Sequence, residues 1–260
     1  MIDTKYTYAV ARIRALETAL FTSATLDQLM ACQTEEQCLQ LIQEKGWGGA
    51  DTPVNAEAIL TREQEKIWEN IKDLGVDMSV FDVLSYPNMF HNLKAAIKDV
   101  CTEENGRAMN IYYDDTAISP EEMLEIVRSK DFSRLPKYMA GAAKEAYETL
   151  LHTRDGQLCD VIVDKAALEA IYAAGREAKD SIIKDYAEST VAIADIKIAV
   201  RSQKTAKNMD FMKRAMVECE SLSVAQLSKA AVSGIDAIVE YLSGTCLLYT
   251  SPSPRDRTRS

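Results

Sequence analysis

The sequence is short of the residues that punctuate a chain. Ten Gly and six Pro in 260 residues are too few turn formers for a sheet-rich fold, and they favour long uninterrupted helices. Histidine is scarcer still, with two in the chain. The six cysteines, Cys32, Cys38, Cys101, Cys159, Cys219 and Cys246, form no C-x-x-C pair, so neither a zinc cluster nor a disulfide framework is supported. They read as reduced, packed side chains. No run approaches 18 apolar residues without a charge, so no direct membrane span is expected. The opening Met1-Ile2-Asp3-Thr4-Lys5 lacks the basic-then-apolar order of a signal peptide. Positive charge is also in deficit. Thirty basic against 40 acidic side chains leave a net charge of −10 with no basic stripe to release counterions, which argues against a nucleic-acid partner.

What is present is Ala, Leu, Ile, Glu, Lys and Met in quantity, with 47% apolar residues. That content excludes disorder, and the helix-forming bias makes an all-α, cytoplasmic protein the expected class.

The last fifteen residues differ from the rest. Cys246 to Ser260 reads CLLYTSPSPRDRTRS, with two of the six prolines and three arginines. It resembles a transposase sequencing adapter read through as protein, and it is expected to be a disordered artefactual tail. Setting it aside leaves 27 basic and 39 acidic residues, a net charge of −12. The same reading expects the natural chain to continue beyond residue 245.

Helical periodicity runs almost throughout. Tyr6 to Leu20 has Ala9, Ile13, Leu16 and Leu20 on one face, which is expected to be buried. Thr25 is expected to cap a short helix, and Thr34 with Gln37 to form a capping box for another that stops at Gly46. Ile59, Ile67, Ile71 and Leu74 mark a long helix, and Met89, Leu93, Ile97 and Val100 mark the next, begun or kinked by Pro87. Ser119-Pro120-Glu121-Glu122 is a strong helix start, with an N-cap, Pro at the first position and carboxylates at the positive end. From Val163 to about Arg201 the only breaker is Gly175, leaving open one long helix or a tightly broken pair.

Self-similarity is visible at one period. Phe90 to Lys98 aligns with Ile193 to Arg201 when Asn92 is matched to Asp195, an offset of 103; Ser119 and Ser223, each opening a short helix, are offset by 104. A partial third copy lies at Ala11-Arg12-Ile13-Arg14-Ala15-Leu16 followed by Thr25 to Met30. The expected organisation is a half-repeat over 1–50, a second helical repeat over 51–155, and a third, incomplete one over 156–245.

Chemical motifs are sparse. Gly46-Trp47-Gly48-Gly49 lacks the Lys-Ser/Thr of a phosphate-binding loop and follows a helix, so it reads as a helix stop. Glu148 and His152 are one turn apart with no second His, which is the pattern of a surface pair. His91 reads as a packing residue and Asp114 with Asp115 as solvated acids. Methionines 78, 89, 109, 123 and 139 read as core filling. No catalytic residue, cofactor site or metal site is expected.

Three stretches carry a resemblance: Tyr6-Thr7-Tyr8-Ala9-Val10-Ala11-Arg12-Ile13-Arg14-Ala15-Leu16-Glu17, then His91-Asn92-Leu93-Lys94, then Asp195-Ile196-Lys197 with Val200-Arg201. Over residues 5–243 the chain resembles the C subunit of V-type (A/V-type) ATP synthases, which is related to the eukaryotic V-ATPase d subunit of the AC39 family. The resemblance implies an all-helical funnel of three similar segments, here with the last incomplete. It would be a non-catalytic subunit of the central stalk, coupling the rotor shaft of the ATPase head to the membrane proteolipid ring for ion transport. Asp195-Ile196 stands where the first copy has Asn92-Leu93, a departure within the pattern. The alternative is a free-standing helical-repeat scaffold that binds another protein.

Arg12, Arg14, Lys94, Lys197 and Arg201 sit at related places in the repeats of a strongly acidic chain. A charge on such apolar helices must be paired, with an acid such as Asp195, or face a partner. Both readings, pairing between repeats and contact with a rotor partner, stay open from the sequence.

Overall fold

The computed structural model describes residues 6–102, 111–114 and 116–245. Among them the fold is all-α, with no strand: α1 (Thr7–Glu17), α2 (Ser23–Ala31), α3 (Glu35–Glu44), α4 (Ala56–Asp73), α5 (Asp82–Thr102), α6 (Pro120–Ser129), α7 (Lys137–Thr153), α8 (Gly156–Glu177), α9 (Ser181–Lys204), α10 (Met209–Ala215), α11 (Val224–Ser233) and α12 (Ile235–Ser243), with short 3₁₀ turns at Met78–Phe81 and Phe132–Arg134. The tail 246–260, Met109 and Asp115 lie outside the described residues. Contacts divide the chain into two units, residues 1–79 and residues 80–260.

Local chemistry sets the helix ends. The side chains of Thr34, Asn55 and Ser119 each accept the N–H three residues on, at 3.3, 2.8 and 3.2 Å, satisfying donors that the first turn leaves open. In the second helix Thr22, not Thr25, is the cap; its hydroxyl accepts the Thr25 N–H at 3.3 Å. The extended backbone at Thr22 is what an N-cap needs, and Thr25 already lies inside the helix. Gln37 reaches back one residue further than a capping box requires, its Oε1 accepting the Gln33 N–H at 3.0 Å. Gly46 ends α3 at φ 87°, with Trp47 N–H on Ile42 O and Gly46 N–H on Gln43 O, the paired bonds of a Schellman stop. Lys130 closes α6 in the same way at φ 57°.

In residues 1–79 little is enclosed. Phe21 and Trp47 stack with centroids 4.3 Å apart, the Gly48 N–H donates to Glu63 Oε1 at 2.7 Å, and Leu39 and Ile59 are buried. The face expected to be buried on α1 is instead exposed, with Ile13 37% and Leu16 40% accessible, and Leu20, which lies beyond the end of the helix at Glu17, is 66% accessible. Periodicity grouped Ile13 and Leu16 on one side, but both stay exposed among the described residues.

Residues 80–260 hold two main cores. Met89, Phe90, Leu93 and Ile97 of α5 pack with Met123 and Val127 of α6, Met139 of α7 and Val163 of α8. Burying each such side chain contributes about 1.5–3 kcal/mol. The second core joins Val191 and Ala199 of α9, Met212 of α10, Met216 and Leu222 of the connecting segment, Leu227 of α11 and Ile238 of α12. Met89, Met123 and Met139 are core fillers as expected. Pro87 lies within α5, where its ring leaves the Val83 carbonyl without an i+4 donor. The stretch 163–201 is a broken pair: α8 ends at Glu177, and Asp180 caps α9 through Ile182 N–H at 2.9 Å. Gly175 does not break the helix. A Cβ there would lie 2.2 Å from Ala187 Cβ, so glycine is what permits α8 and α9 to approach so closely.

Candidate functional site

Asn92 and Asp195, matched by the sequence period, are both fully buried and do related work. Each anchors the irregular segment that leads to the next short helix. Asn92 Oδ1 accepts the Tyr113 N–H at 2.9 Å, and its Nδ2 donates to Tyr113 O at 2.8 Å and Thr116 Oγ1 at 3.1 Å. Asp195 Oδ1 accepts the Val217 N–H at 3.2 Å. His91 is a packing residue, with Nε2 2.9 Å from Ile111 O and its ring edge-on to Tyr113. Asp114 is exposed.

The segment after α10 has further anchors. Glu188 accepts the N–H groups of Ser221 at 2.7 Å and Glu220 at 3.3 Å. Ser223 N–H donates to Tyr241 Oη at 2.9 Å, and Val224 N–H to Glu218 Oε2 at 3.0 Å. Burial alone would push the Glu188 carboxyl up, yet the hydrogen bonds from Ser221, Cys219 and Glu220 hold it below the usual range. Asp195 has one such bond, and there burial prevails, pushing it up to about 7.

The five basic positions divide by environment. Arg12 donates to Asn70 Oδ1 at 3.0 Å and Tyr8 Oη at 3.2 Å, with Asp73 at 3.8 Å; Arg14 pairs with Glu17 at 2.7 Å. Lys94 does not meet Asp195. It binds Asp164 at 2.7 Å, and one turn on Lys98 binds Asp160 at 2.6 Å. These two rungs join α5 to α8 in antiparallel sense. Asp195 is unsuited to pair with any of the five because it faces the second core, away from solvent, whereas Lys197 and Arg201 are exposed.

Asp160, Asp164 and Arg201 line one groove of about 380 Å³ together with Val161, Ile198 and Phe211. Lys207, at its rim, donates to Gln157 at 2.8 Å. The structure thus brings Lys94, through its partner Asp164, to the groove that Arg201 borders, while Arg12 and Arg14 belong to the first unit. The acids were readable in principle: Asp160 and Asp164 repeat the four-residue spacing of Lys94 and Lys98, the signal of two complementary helix faces.

Glu148 is 3.9 Å from Lys144 and His152 is exposed. Among the described residues no group of His, Cys, Asp or Glu is arranged to hold a metal ion, and no helix is long and apolar enough to cross a membrane. Residues 9–249 match the model of the ATP synthase (C/AC39) subunit family, and the chain belongs to that family. It is therefore a subunit of the V/A-type ATPase class, an accessory rather than a catalytic one. No curated protein and no solved structure matches it.

Proposed function

We propose that this chain is a non-catalytic central-stalk subunit of a rotary V/A-type ATPase or ATP synthase, coupling the rotor shaft of the ATPase head to the membrane proteolipid ring during ion transport. Its place is cytoplasmic, peripheral to the membrane and held there through the complex. The observation that carries this reading is the family match over residues 9–249. Support comes from the related anchoring roles of Asn92 and Asp195, which suit repeated helical segments over 1–50, 51–155 and 156–245 arranged as a funnel.

In this reading the subunit does no chemistry. It passes torque through helix packing, and interiors packed at crystal-like density transmit strain with little compression. Arg12, Arg14, Lys94, Lys197 and Arg201 supply partner contacts. Arg201 and Lys197 are the better placed, since they are exposed and neither forms an ion pair among the described residues, whereas the others already hold internal acceptors.

The test is reconstitution of the intact complex with Arg12, Lys94 and Arg201 changed to Ala. Weaker stalk binding, or ATP hydrolysis uncoupled from ion transport with hydrolysis itself retained, is the expected result. A folded triple variant that pumps with unchanged coupling removes these residues from the interface. Failure of the stalk and ring subunits to co-purify with the full-length protein favours the free-standing scaffold instead.

A further inference from the structure

Asp195 differs from its counterpart in one respect that the repeat makes visible. Asn92 uses both halves of its amide: the oxygen accepts from Tyr113 N–H, and the nitrogen donates to Tyr113 O and Thr116 Oγ1. Asp195 uses one half. Its Oδ1 accepts from Val217 N–H, while Oδ2 is buried with no hydrogen-bond partner among the described residues. The residue is 0% exposed. A buried carboxylate with one hydrogen bond and an orphaned oxygen is a costly arrangement, and the ordinary escape is to bind a proton.

The surroundings do not supply a counter-charge in contact. From α8, Lys165 favours the ionised form, as does the Val217 bond; its Nζ donates to Lys213 O at 3.4 Å and lies 3.9 Å from Glu169, and Tyr172 of the same helix packs on the second core. Glu218, in the segment after α10, opposes it. Cys219 in that segment has its thiol raised by burial first and by the neighbouring Glu188 second. On α10, Asp210, Lys213 and Arg214 are exposed, as are Lys229 of α11 and Asp236 and Glu240 of α12. On α9 itself Glu188 is engaged by Ser221 and Glu220, and Lys197 and Arg201 are exposed. The side chains that α11 and α12 bury, Val224, Leu227, Ser228, Ala231 and Ile238, carry no titratable group; half-buried Tyr241 of α12 packs on the same core, its hydroxyl accepting the Ser223 N–H at 2.9 Å.

We propose that Asp195 is a proton-binding site: it is neutral when the segment 216–223 is docked on α9, and loss of its proton loosens that docking, so the third segment carries a pH-responsive latch where the second, with Asn92, carries a pH-independent one. The sign follows from linkage. Burial raises the folded-state value to about 7 from the ordinary 3.8, so the docked state binds more protons than the undocked state between these values. Stability from this group is complete at low pH and is lost as pH rises through neutrality.

The test is amide hydrogen exchange on the full chain, with intrinsic exchange divided out. For a group titrating near 7, the opening constant at Val217 should rise about tenfold between pH 6 and pH 8, while that at Tyr113, held by Asn92, stays level. In Asp195→Asn the Val217 rise should vanish. A flat Val217 profile in the natural sequence, or an equal rise in Asp195→Asn, overturns the proposal. Should Asp195→Asn not fold, carboxyl carbon NMR of the unaltered chain decides: a midpoint for Asp195 above pH 5 supports the site, and one below it rejects the site.

Discussion

Gly175 of α8 faces Ala187 of α9 so closely that a Cβ on the glycine would sit 2.2 Å from the alanine methyl. No rotamer relieves such an overlap, because both atoms are fixed to helical backbone. Gly175→Ala should therefore force the two helices apart and cost about 1–3 kcal/mol, outweighing the usual gain of about 1 kcal/mol for alanine over glycine in a helix. Urea denaturation monitored by circular dichroism should show a lower midpoint.

Asn92→Asp should import the chemistry of Asp195 into the second segment. The Nδ2 donations to Tyr113 O and Thr116 Oγ1 disappear and a charge is placed in a fully buried site. The loss at pH 8 should be at least about 1–3 kcal/mol, and smaller at pH 5, where a protonated acid restores one donor. Thermal midpoints at the two pH values distinguish this from simple misfolding, which would carry no pH dependence.

Lys94 and Asp164 lie 2.7 Å apart, with side chains 22% and 58% exposed. Solvent screens such a pair, so a double-mutant cycle with alanine at both positions should give a coupling of about 0.2–1 kcal/mol that declines with added salt. The proposed partner contact of Lys94, measured in the complex, is then separable from its small effect on folding.

Thiol chemistry should be uneven along the chain. Burial pushes Cys159 up to about 11 and Cys219 up to about 12, and Cys101 is raised by the same cause. The thiolate is the reactive form, so these three should resist alkylation in the native state at pH 8. Of the described cysteines, Cys32 and Cys38 are half-buried; the Cys38 thiol is raised, chiefly by burial, so Cys32 should be modified before it, and peptide mapping after a timed iodoacetamide pulse reads the order directly.

The phase of the helices was legible in the sequence because it depends on neighbours three and four residues apart. Leu93, Ile97, Met123 and Met139 therefore fell inside the core as their spacing required. What covers a face is set by distant residues, and Ile13 and Leu16 show the difference: correctly grouped, they are nonetheless exposed. Gly175 was visible as a possible breaker, but its value lies in the approach of Ala187, twelve residues away. The match of Asn92 to Asp195 was legible; that Asp195 would be left half-satisfied was not, since the Val217 backbone that meets it comes from an irregular segment without a period. Of the basic positions, Lys94 shares a four-residue spacing with Lys98 that Asp160 and Asp164 repeat, but that two helices 70 residues apart in sequence would lie side by side with these faces together is set by tertiary packing.

The two rungs Lys94–Asp164 and Lys98–Asp160 have a consequence for mechanics. Each is too exposed to add much to stability, but together they define a register. If α8 slid along α5 by one helical turn, one acid and one base could still meet, while the other acid and base would each be stranded beside apolar neighbours. The ladder thus penalises axial shear in either direction while leaving small rotations of the helices nearly free. A body that passes a twisting load, as we propose this one does, needs that combination, stiff against slippage and tolerant of torsion.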